Sequence, residues 1–294
     1  MPTVQANDIE IYHEEFGDRS DPTLLLVNGL GSQAIAWDPA YCAKLVAAGF
    51  HVIRYDNRDV GLSTHLGGEP LDVLEAFATV VAGGEIHAPY TLSDMAADGM
   101  ALLEALGIER AHVAGSSMGG MIVQTMAIEH PERVSSMTSV MSTTGEVGFG
   151  MPDPECLHAL GSILTPKDTR EDSIDSGVAL AREIGTATEF DPDHERRRAT
   201  EAYDRAYDPH GVARQMMAIL GSGDRAAGLK ELDVPAMVLH GDADRLVDIS
   251  GGHRTAELVP GAEFRQMDGM GHDLPPAYWD RAVGAITDVA SRAG

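Results

Sequence analysis

Short, continuously apolar segments alternate along most of the chain with longer segments in which apolar residues recur at helical spacing. The clearest apolar runs are TLLLVNG at 23–29 and PAMVLHG at 235–241, and each ends in glycine. Runs of this kind predict strands that are buried on both faces of a parallel sheet. The pattern at 91–106 and 118–130 instead predicts helices. Strands that alternate with helices indicate βαβ crossovers, and therefore an α/β fold with a mostly parallel sheet.

The other elements continue this alternation. Asn7 and Asp8 favour a hairpin turn between the first two predicted strands. Gly49 and Gly107 are expected to end helices. The remaining predicted strands are 3–6, 9–16, 51–56, 111–115, 134–141 and 263–267, and the remaining predicted helices are 37–48, one that ends at 256–259, and 278–292.

One region departs from the alternation. Between about Thr144 and Gly223 there is no run that predicts a buried strand, and the segment is rich in proline and contains the charged run DPDHERRR. A structureless loop of this length is uncommon inside a compact domain. We therefore expect a helical cap at 144–223, inserted after the sixth strand of a core formed by 1–143 and 224–294. The charged run is interpreted as the solvated face of a cap helix.

The charge of the chain is strongly negative. Its 294 residues include 46 acidic and 21 basic side chains, for a formal net charge of −25. Such a surface repels nucleic acids and anionic membranes, so neither is an expected partner. The sequence has no signal-peptide pattern at its start and no apolar run of the roughly 18 residues that a membrane span needs, which predicts a cytoplasmic protein. Oligomeric state is left open.

Cysteine usage gives no sign of a metal site. The two cysteines, Cys42 and Cys156, are far apart and lack the spacing of metal ligands. We expect both to be free, partly buried thiols.

The segment AGSSMGG at 114–120 joins a predicted strand to a predicted helix. It places Gly115 and Gly119 around Ser117 in the G-x-S-x-G pattern of a nucleophile elbow. The glycines avoid collisions where strand meets helix, and the turn lifts the hydroxyl above the carboxyl edge of the sheet. Ser117 is therefore the candidate nucleophile. The alternative is a strand–helix turn of small residues with no chemical role.

A serine nucleophile needs a base, and the base needs an orienting carboxylate. His272 lies in the glycine-rich loop DGMGHDLP, which follows the last predicted strand and so lies at the same edge of the sheet. It is the candidate base. The loop HGDADRLVD follows a buried strand and offers Asp242, Asp244 and Asp248, of which Asp244, three residues after Gly241, is the favoured carboxylate.

An acyl-transfer site also needs donors for the oxyanion. The loop NGLGS at 28–32 follows a buried strand, and its glycines allow the backbone to approach a substrate. We expect the N–H groups of Leu30 and Met118 to form this oxyanion hole.

These motifs resemble the α/β-hydrolase superfamily over the whole chain: GSSMG around Ser117, HGDAD around Asp244, GMGH at His272, and YDNRDVGLS at 55–63. More narrowly, LLLVNGLGSQAIAW, HVIRYDNRDVGLS and MDGMGHDLP resemble aclacinomycin methylesterases and related actinobacterial carboxylesterases and lipases. The resemblance implies the α/β-hydrolase fold. One departure is Asn28, which stands where many members have a histidine before the glycine. Because the expected oxyanion donor is a backbone N–H, this change of side chain should not remove it.

The triad that these residues would form predicts hydrolysis of carboxylic esters through an acyl-enzyme, with no metal or organic cofactor. The same triad would serve a thioesterase, a C–C bond hydrolase, or a perhydrolase resembling cofactor-free haloperoxidases. A binding or receptor protein with this fold is the alternative outside enzymes.

The predicted cap emerges at the same edge of the sheet as Ser117. Its apolar side chains are therefore candidates to line a pocket for a small-molecule ester, which would be apolar or aromatic. The alternative is that they pack the cap onto the core. The candidates are Leu160, Met216, Met217 and Leu220. The identity and chain length of the ester are left open.

Overall fold

The computed structural model describes residues 2–68 and 71–293. Its centre is an eight-stranded sheet with the order β1-β2-β4-β3-β5-β6-β7-β8. The strands are β1 (Thr3–Ala6), β2 (Ile9–Phe16), β3 (Thr23–Val27), β4 (His51–Tyr55), β5 (Ala111–Ser116), β6 (Val134–Val140), β7 (Ala236–Gly241) and β8 (Glu263–Met267).

Strand direction decides where the candidate residues meet. β1 pairs with β2, and β2 with β4, in antiparallel register. From β4 to β8 all neighbouring strands are parallel. The loops that follow β3, β5, β7 and β8 therefore emerge at one edge of the sheet, as the alternating sequence pattern predicted.

Helices connect these strands and cover both faces of the sheet. They are α1 (Pro39–Ala47), α2 (Val73–Val81), α3 (Leu92–Ala105), α4 (Met118–Glu129), α5 (Leu157–Leu164), α6 (Arg170–Ile184), α7 (Pro192–Arg205), α8 (Pro209–Gly221), α9 (Ala226–Lys230), α10 (Ser250–Leu258) and α11 (Trp279–Ala290). The predicted helices are confirmed with small shifts at their ends. The sequence interpretation missed α2, whose VLEAFATVV is rich in β-branched residues, and the short α9.

The apolar run of β3 is buried because helices cover both of its faces. Leu25 and Val27 belong to a core that includes residues of α3 and α4. Leu24 and Leu26 point to the opposite core, which includes residues of α1 and α11. Alternate side chains of a strand point to opposite faces, so a strand between two layers of helices must be apolar at every position.

Helices α5 to α8 lie between β6 and β7 in the chain, and we call them the inserted helices. The charged run falls on α7, which has no buried residue, so its interpretation as a solvated face is confirmed. Polar contacts join the insertion to the core: Arg205 lies 2.7 Å from Asp56, and Arg214 lies 2.8 Å from Asp59. Within the described part of the chain, no helix has the length and apolar character needed to cross a membrane.

Candidate active site

Ser117 lies between β5 and α4 in a backbone conformation that L-residues rarely adopt, with φ 55° and ψ −119°. A non-glycine residue at positive φ costs free energy unless its surroundings hold it there. Here the Ser117 N–H donates to Val140 O at 2.9 Å, and Ser117 O accepts from Ser142 Oγ at 2.8 Å. The end of β6 and the loop after it therefore fix the turn on both sides of the serine.

The flanking glycines are required by close backbone contacts. A Cβ atom on Gly115 would lie 2.1 Å from the carbonyl oxygen of Gly119, and one on Gly119 would lie 2.1 Å from the carbonyl oxygen of Val27. Non-bonded heavy atoms do not approach so closely. The G-x-S-x-G pattern thus lets α4 start directly against the ends of β5 and β3.

His272 and Asp244 meet at the same edge of the sheet. His272 Nδ1 lies 2.8 Å from Asp244 Oδ2, and the Asp244 side chain is fully buried. The other carboxylate oxygen accepts from the backbone N–H groups of Leu246 and Val247, each at 2.9 Å. The loop after β7 therefore fixes the carboxylate and directs one oxygen toward the imidazole.

The surroundings of Asp244 keep it ionised. Burial opposes the charge, but the neighbouring His272 and the hydrogen bonds from His240 and His272 hold the pKa of the Asp244 carboxyl well below its usual range. His240 is completely buried, and its Nε2 lies 3.3 Å from Asp244 Oδ2 and 2.8 Å from Val247 O.

The two alternative carboxylates are engaged elsewhere. Asp242 Oδ1 accepts from the Gly269 N–H at 2.6 Å, and Asp248 Oδ1 accepts from the Ser250 N–H at 3.0 Å. Asp242 thus supports the turn after β8, and Asp248 supports the start of α10. Of the three candidates, Asp244 is the one that contacts His272.

The loop after β3 lies directly against the elbow. A Cβ atom on Gly29 would lie 3.2 Å from Ser117 Cβ, which is closer than ordinary van der Waals contact. The backbone at Gly29 therefore packs directly against the serine. Asn28 anchors the loop by donating from Nδ2 to Tyr55 O at 3.2 Å. Among the described residues, the N–H groups of Leu30 and Met118 have no acceptor. Met118 follows Ser117 directly, and Leu30 follows Gly29, which packs against the serine; unpaired amides in these positions are suited to binding an oxyanion.

The structure brings the serine and the histidine to one edge of the sheet without a hydrogen bond between them. Within residues 2–68 and 71–293, Ser117 Oγ has no hydrogen-bond partner, and the side chain of His272 bonds to Asp244.

A cavity of about 210 Å³ lies between the inserted helices and the core loops. Gly31, which follows Leu30, lines it, as do the rings of Tyr203 and Tyr207, which stack with their centroids 4.6 Å apart. Of the pocket residues predicted on α8, Met216 and Met217 are buried and Leu220 is half-buried, and none of the three lines this cavity. Its described lining does not include Ser117 or His272 either. The side chain of Leu160 lies outside the described part of the structure, so its place in a pocket stays a prediction.

One cluster among the described residues has the ligand types of a metal site: Asp59, His65 and Asp208 place a ligand atom each within 4.8 Å of one another. Arg214 donates to Asp59 Oδ2 at 2.9 Å and to Asp208 Oδ2 at 3.1 Å. A cation would have to displace this guanidinium or face its charge. The cluster therefore fits an ion-pair network better than a metal site.

The sequence interpretation gave no role to several residues that support the site. His240 stands in the quoted HGDAD motif, yet nothing local indicates that it faces Asp244. Gln215 of α8 accepts from the Gly31 N–H at 2.9 Å and donates to Arg58 O at 2.8 Å, tying the loop after β3 to the insertion. The contacts of Gln215 join segments far apart in the chain, which only the fold brings together, so no sequence signal identifies them.

Comparisons with known proteins agree with the fold. A family model described as alpha/beta hydrolase fold matches residues 22–275. The rhodomycin D methylesterase DnrP of Streptomyces peucetius is 29% identical over 306 residues, and the match covers 97% of each protein. A putative carbamate hydrolase, RutD of Caulobacter segnis, is 28% identical over 256 residues, which cover 85% of this chain and 84% of that protein.

The fold has close structural counterparts. An enol-lactonase from Burkholderia xenovorans matches with a TM-score of 0.76 at 23% identity, covering 99% of this chain and 100% of that one. The fold predicted from the alternating pattern and the motifs is thereby confirmed. The methylesterase relative agrees with the narrower resemblance.

Proposed function

The chain belongs to the alpha/beta hydrolase fold family, and from this premise we propose that it hydrolyses carboxylic esters with Ser117, His272 and Asp244 as its catalytic residues. The observation that carries the proposal is the hydrogen bond of 2.8 Å from His272 Nδ1 to Asp244, at the edge of the sheet where Ser117 stands in a strained turn. A relative that is a methylesterase supports the choice of esters.

In the proposed reaction, His272 Nε2 accepts the proton of Ser117 Oγ while this oxygen attacks the ester carbonyl carbon. Asp244 holds Nδ1–H and stabilises the imidazolium. The carbonyl oxygen becomes an oxyanion, which accepts hydrogen bonds from the N–H groups of Leu30 and Met118. When the tetrahedral intermediate collapses, the C–O bond to the alcohol breaks and His272 gives its proton to the departing alcohol.

Water then completes the cycle. His272 removes a proton from a water molecule, whose oxygen attacks the acyl carbon on Ser117. The second tetrahedral intermediate breaks the bond to Ser117 Oγ, which recovers its proton from His272. The acid leaves, and the free enzyme is restored without any change of oxidation state.

We further propose that residues 144–223 act as a cap above Ser117 and set the choice of ester. The cavity between the inserted helices and the loop after β3 begins at Gly31, next to a proposed oxyanion donor. The stacked tyrosines and Val212 of α8, which line it, favour apolar or aromatic esters of moderate size, and the net charge of −25 disfavours anionic ones.

The test is Ser117→Ala, with Ser116→Ala as the matched control. A series of p-nitrophenyl esters of rising chain length, together with methyl esters of bulky aromatics, serves as the substrate panel. Ser117→Ala should lose on the order of 10⁶ in kcat, and Ser116→Ala should stay within a few fold of the wild type. A fluorophosphonate should label the wild type and the control but not Ser117→Ala. Unchanged turnover by folded Ser117→Ala contradicts the proposal.

A further inference from the structure

The backbone of the loop that carries His272 is held by the inserted helices. The carbonyl oxygen of Ile184, the last residue of α6, accepts a hydrogen bond of 2.7 Å from the His272 N–H. Thr186, which is 1% exposed, accepts from the Gly271 N–H through Oγ1 at 2.9 Å. Two consecutive amides, including that of the proposed base, therefore bind to the end of α6 and the residues just after it.

The direction of the Thr186 hydroxyl is fixed by a second partner. Its Oγ1 donates to Asp273 Oδ1, and the Thr186 N–H donates to the same oxygen at 2.9 Å. A hydroxyl has one proton to donate. Because Asp273 takes this proton, a lone pair of Oγ1 is left for the Gly271 N–H. Thr186 thus joins the residues on both sides of His272.

The two segments also touch through their backbones. A Cβ atom on Gly271 would lie 2.5 Å from the carbonyl carbon of Gly185 and 2.7 Å from the carbonyl oxygen of Ile184. No side chain fits at position 271 without separating the segments. The hydrogen bonds of Thr186 are therefore formed in a closely packed, buried contact, where leaving a polar group unpaired is costly.

We propose that Thr186 is a positioning residue for His272. Its hydroxyl fixes the backbone from which the imidazole bonds to Asp244 through Nδ1 and, in the proposed reaction, takes the proton of Ser117 through Nε2. This inference rests on the proposed function, because it assigns Thr186 a part in the placement of the proposed base. The insertion then has a second role, because the end of α6 completes the support of the histidine loop. It affects rate as well as substrate choice.

The geometry predicts a loss in rate and not in substrate binding. A misplacement of a catalytic group by about 1 Å can cost on the order of 100-fold in rate. Thr186→Val keeps the shape of the side chain and removes the hydroxyl. It should lower kcat for p-nitrophenyl butyrate by roughly tenfold to 100-fold, while KM stays within about twofold.

Two variants separate positioning from general packing. Thr186→Ser keeps the hydroxyl and should restore kcat to within a few fold of the wild type. Thr188→Val changes an exposed threonine in the same segment and should have no effect. If Thr186→Val keeps the wild-type kcat, if Thr186→Ser loses as much as Thr186→Val, or if the effect lies in KM alone, the proposal is wrong.

A third variant covers the case in which Thr186→Val does not fold. Asp273→Ala removes the acceptor that orients the hydroxyl and should also lower kcat at unchanged KM, whereas Asp273→Asn keeps an acceptor oxygen and should be milder. Wild-type kcat in Asp273→Ala would overturn the proposal. Ser117→Ala, assayed alongside, distinguishes failure of the proposed function from failure of the role of Thr186. If Ser117→Ala is inactive while Thr186→Val is fully active, this inference fails and the proposed function stands.

Discussion

Nδ1 of His272 lies 2.8 Å from Oδ2 of Asp244, although the two residues are 28 positions apart in the chain. The remaining oxygen of Asp244 accepts from two backbone N–H groups in its own loop. Backbone donors cannot turn away from the carboxylate as side chains can. The pair is therefore held in one orientation by the loop after β7.

Asp244→Asn should lower kcat by about 10⁴-fold, as loss of the aspartate does in other triads. The backbone N–H groups of Leu246 and Val247 require an oxygen, so the amide NH₂ of the variant would face His272 Nδ1. The imidazole would then carry its proton on Nε2 and could not accept one from Ser117. Asp242→Asn is the control, because an amide oxygen can still accept from Gly269 N–H. Steady-state kinetics that rank the two variants in the opposite order would assign the role to Asp242.

The pH dependence of kcat/KM should report a single proton on the acid side. His272 must be unprotonated to accept the serine proton, while the pKa of Asp244 lies well below its usual range, so this carboxylate stays ionised as the pH falls. A plot of log kcat/KM against pH, measured with a neutral ester, should have a slope of one on its acid limb. A slope of two would mean that Asp244 is also protonated in this range.

His65 should add stability at low pH. Its Nδ1 lies 2.8 Å from Asp208 Oδ2 and its Nε2 lies 3.0 Å from Gly61 O, so both contacts are satisfied when both ring nitrogens carry protons. Partial burial lowers the pKa of His65, but the bonds to Gly61 and Asp208 outweigh it and the pKa is raised. A raised folded-state pKa gives stability that is complete below the unfolded pKa of about 6.5 and is lost as pH rises through the folded value.

The check is the free energy of unfolding from urea titrations of the wild type and His65→Gln between about pH 5.5 and 8.5. The difference between the two proteins should be largest at the acid end. His210→Gln, an exposed histidine of α8 whose ring has no hydrogen-bond partner in the described part of the chain, is the control. A difference that is constant with pH would contradict the role of His65.

Gly119→Ala should destabilise the protein by roughly 1–3 kcal/mol or more, since the new methyl would lie 2.1 Å from the Val27 carbonyl oxygen. Gly284→Ala is the matched control. Gly284 lies within α11 and has no atom within 4 Å of its Cβ position. This change should therefore stabilise the helix by up to about 1 kcal/mol. Thermal melting of both variants tests the pair, and equal melting temperatures would show that the elbow tolerates a side chain.

The apolar residues of α8 should affect the choice of ester. Met216→Ala, Met217→Ala and Leu220→Ala, made singly, shorten apolar side chains of α8, the helix whose Pro209 and Val212 line the cavity. Each should change the ratio of kcat/KM between short and bulky esters. If stability falls while every ratio stays at the wild-type value, these residues pack the insertion onto the core and do not select the substrate.

The sequence by itself determined the elements and the elbow. Apolar runs, helical periodicity and glycines are local signals, because burial and backbone geometry act on neighbouring residues. The continuous run of β3 predicted burial on both faces, and G-x-S-x-G predicted a turn too tight for side chains at positions 115 and 119. The helix α2 escaped prediction because its β-branched residues do not have a helical signature of their own.

Tertiary structure decided which distant groups meet. Asp242, Asp244 and Asp248 share one loop, and the sequence favoured Asp244 only by its spacing from Gly241. It is the fold that places Asp244, of the three, against His272. The support of the histidine loop by Thr186 also has no local signature. The Thr186 hydroxyl and the Gly271 N–H are far apart in the sequence, and nothing near either residue indicates that they form a hydrogen bond. Hydrogen bonds depend on distances within a few tenths of an ångström, and packing between layers sets those distances.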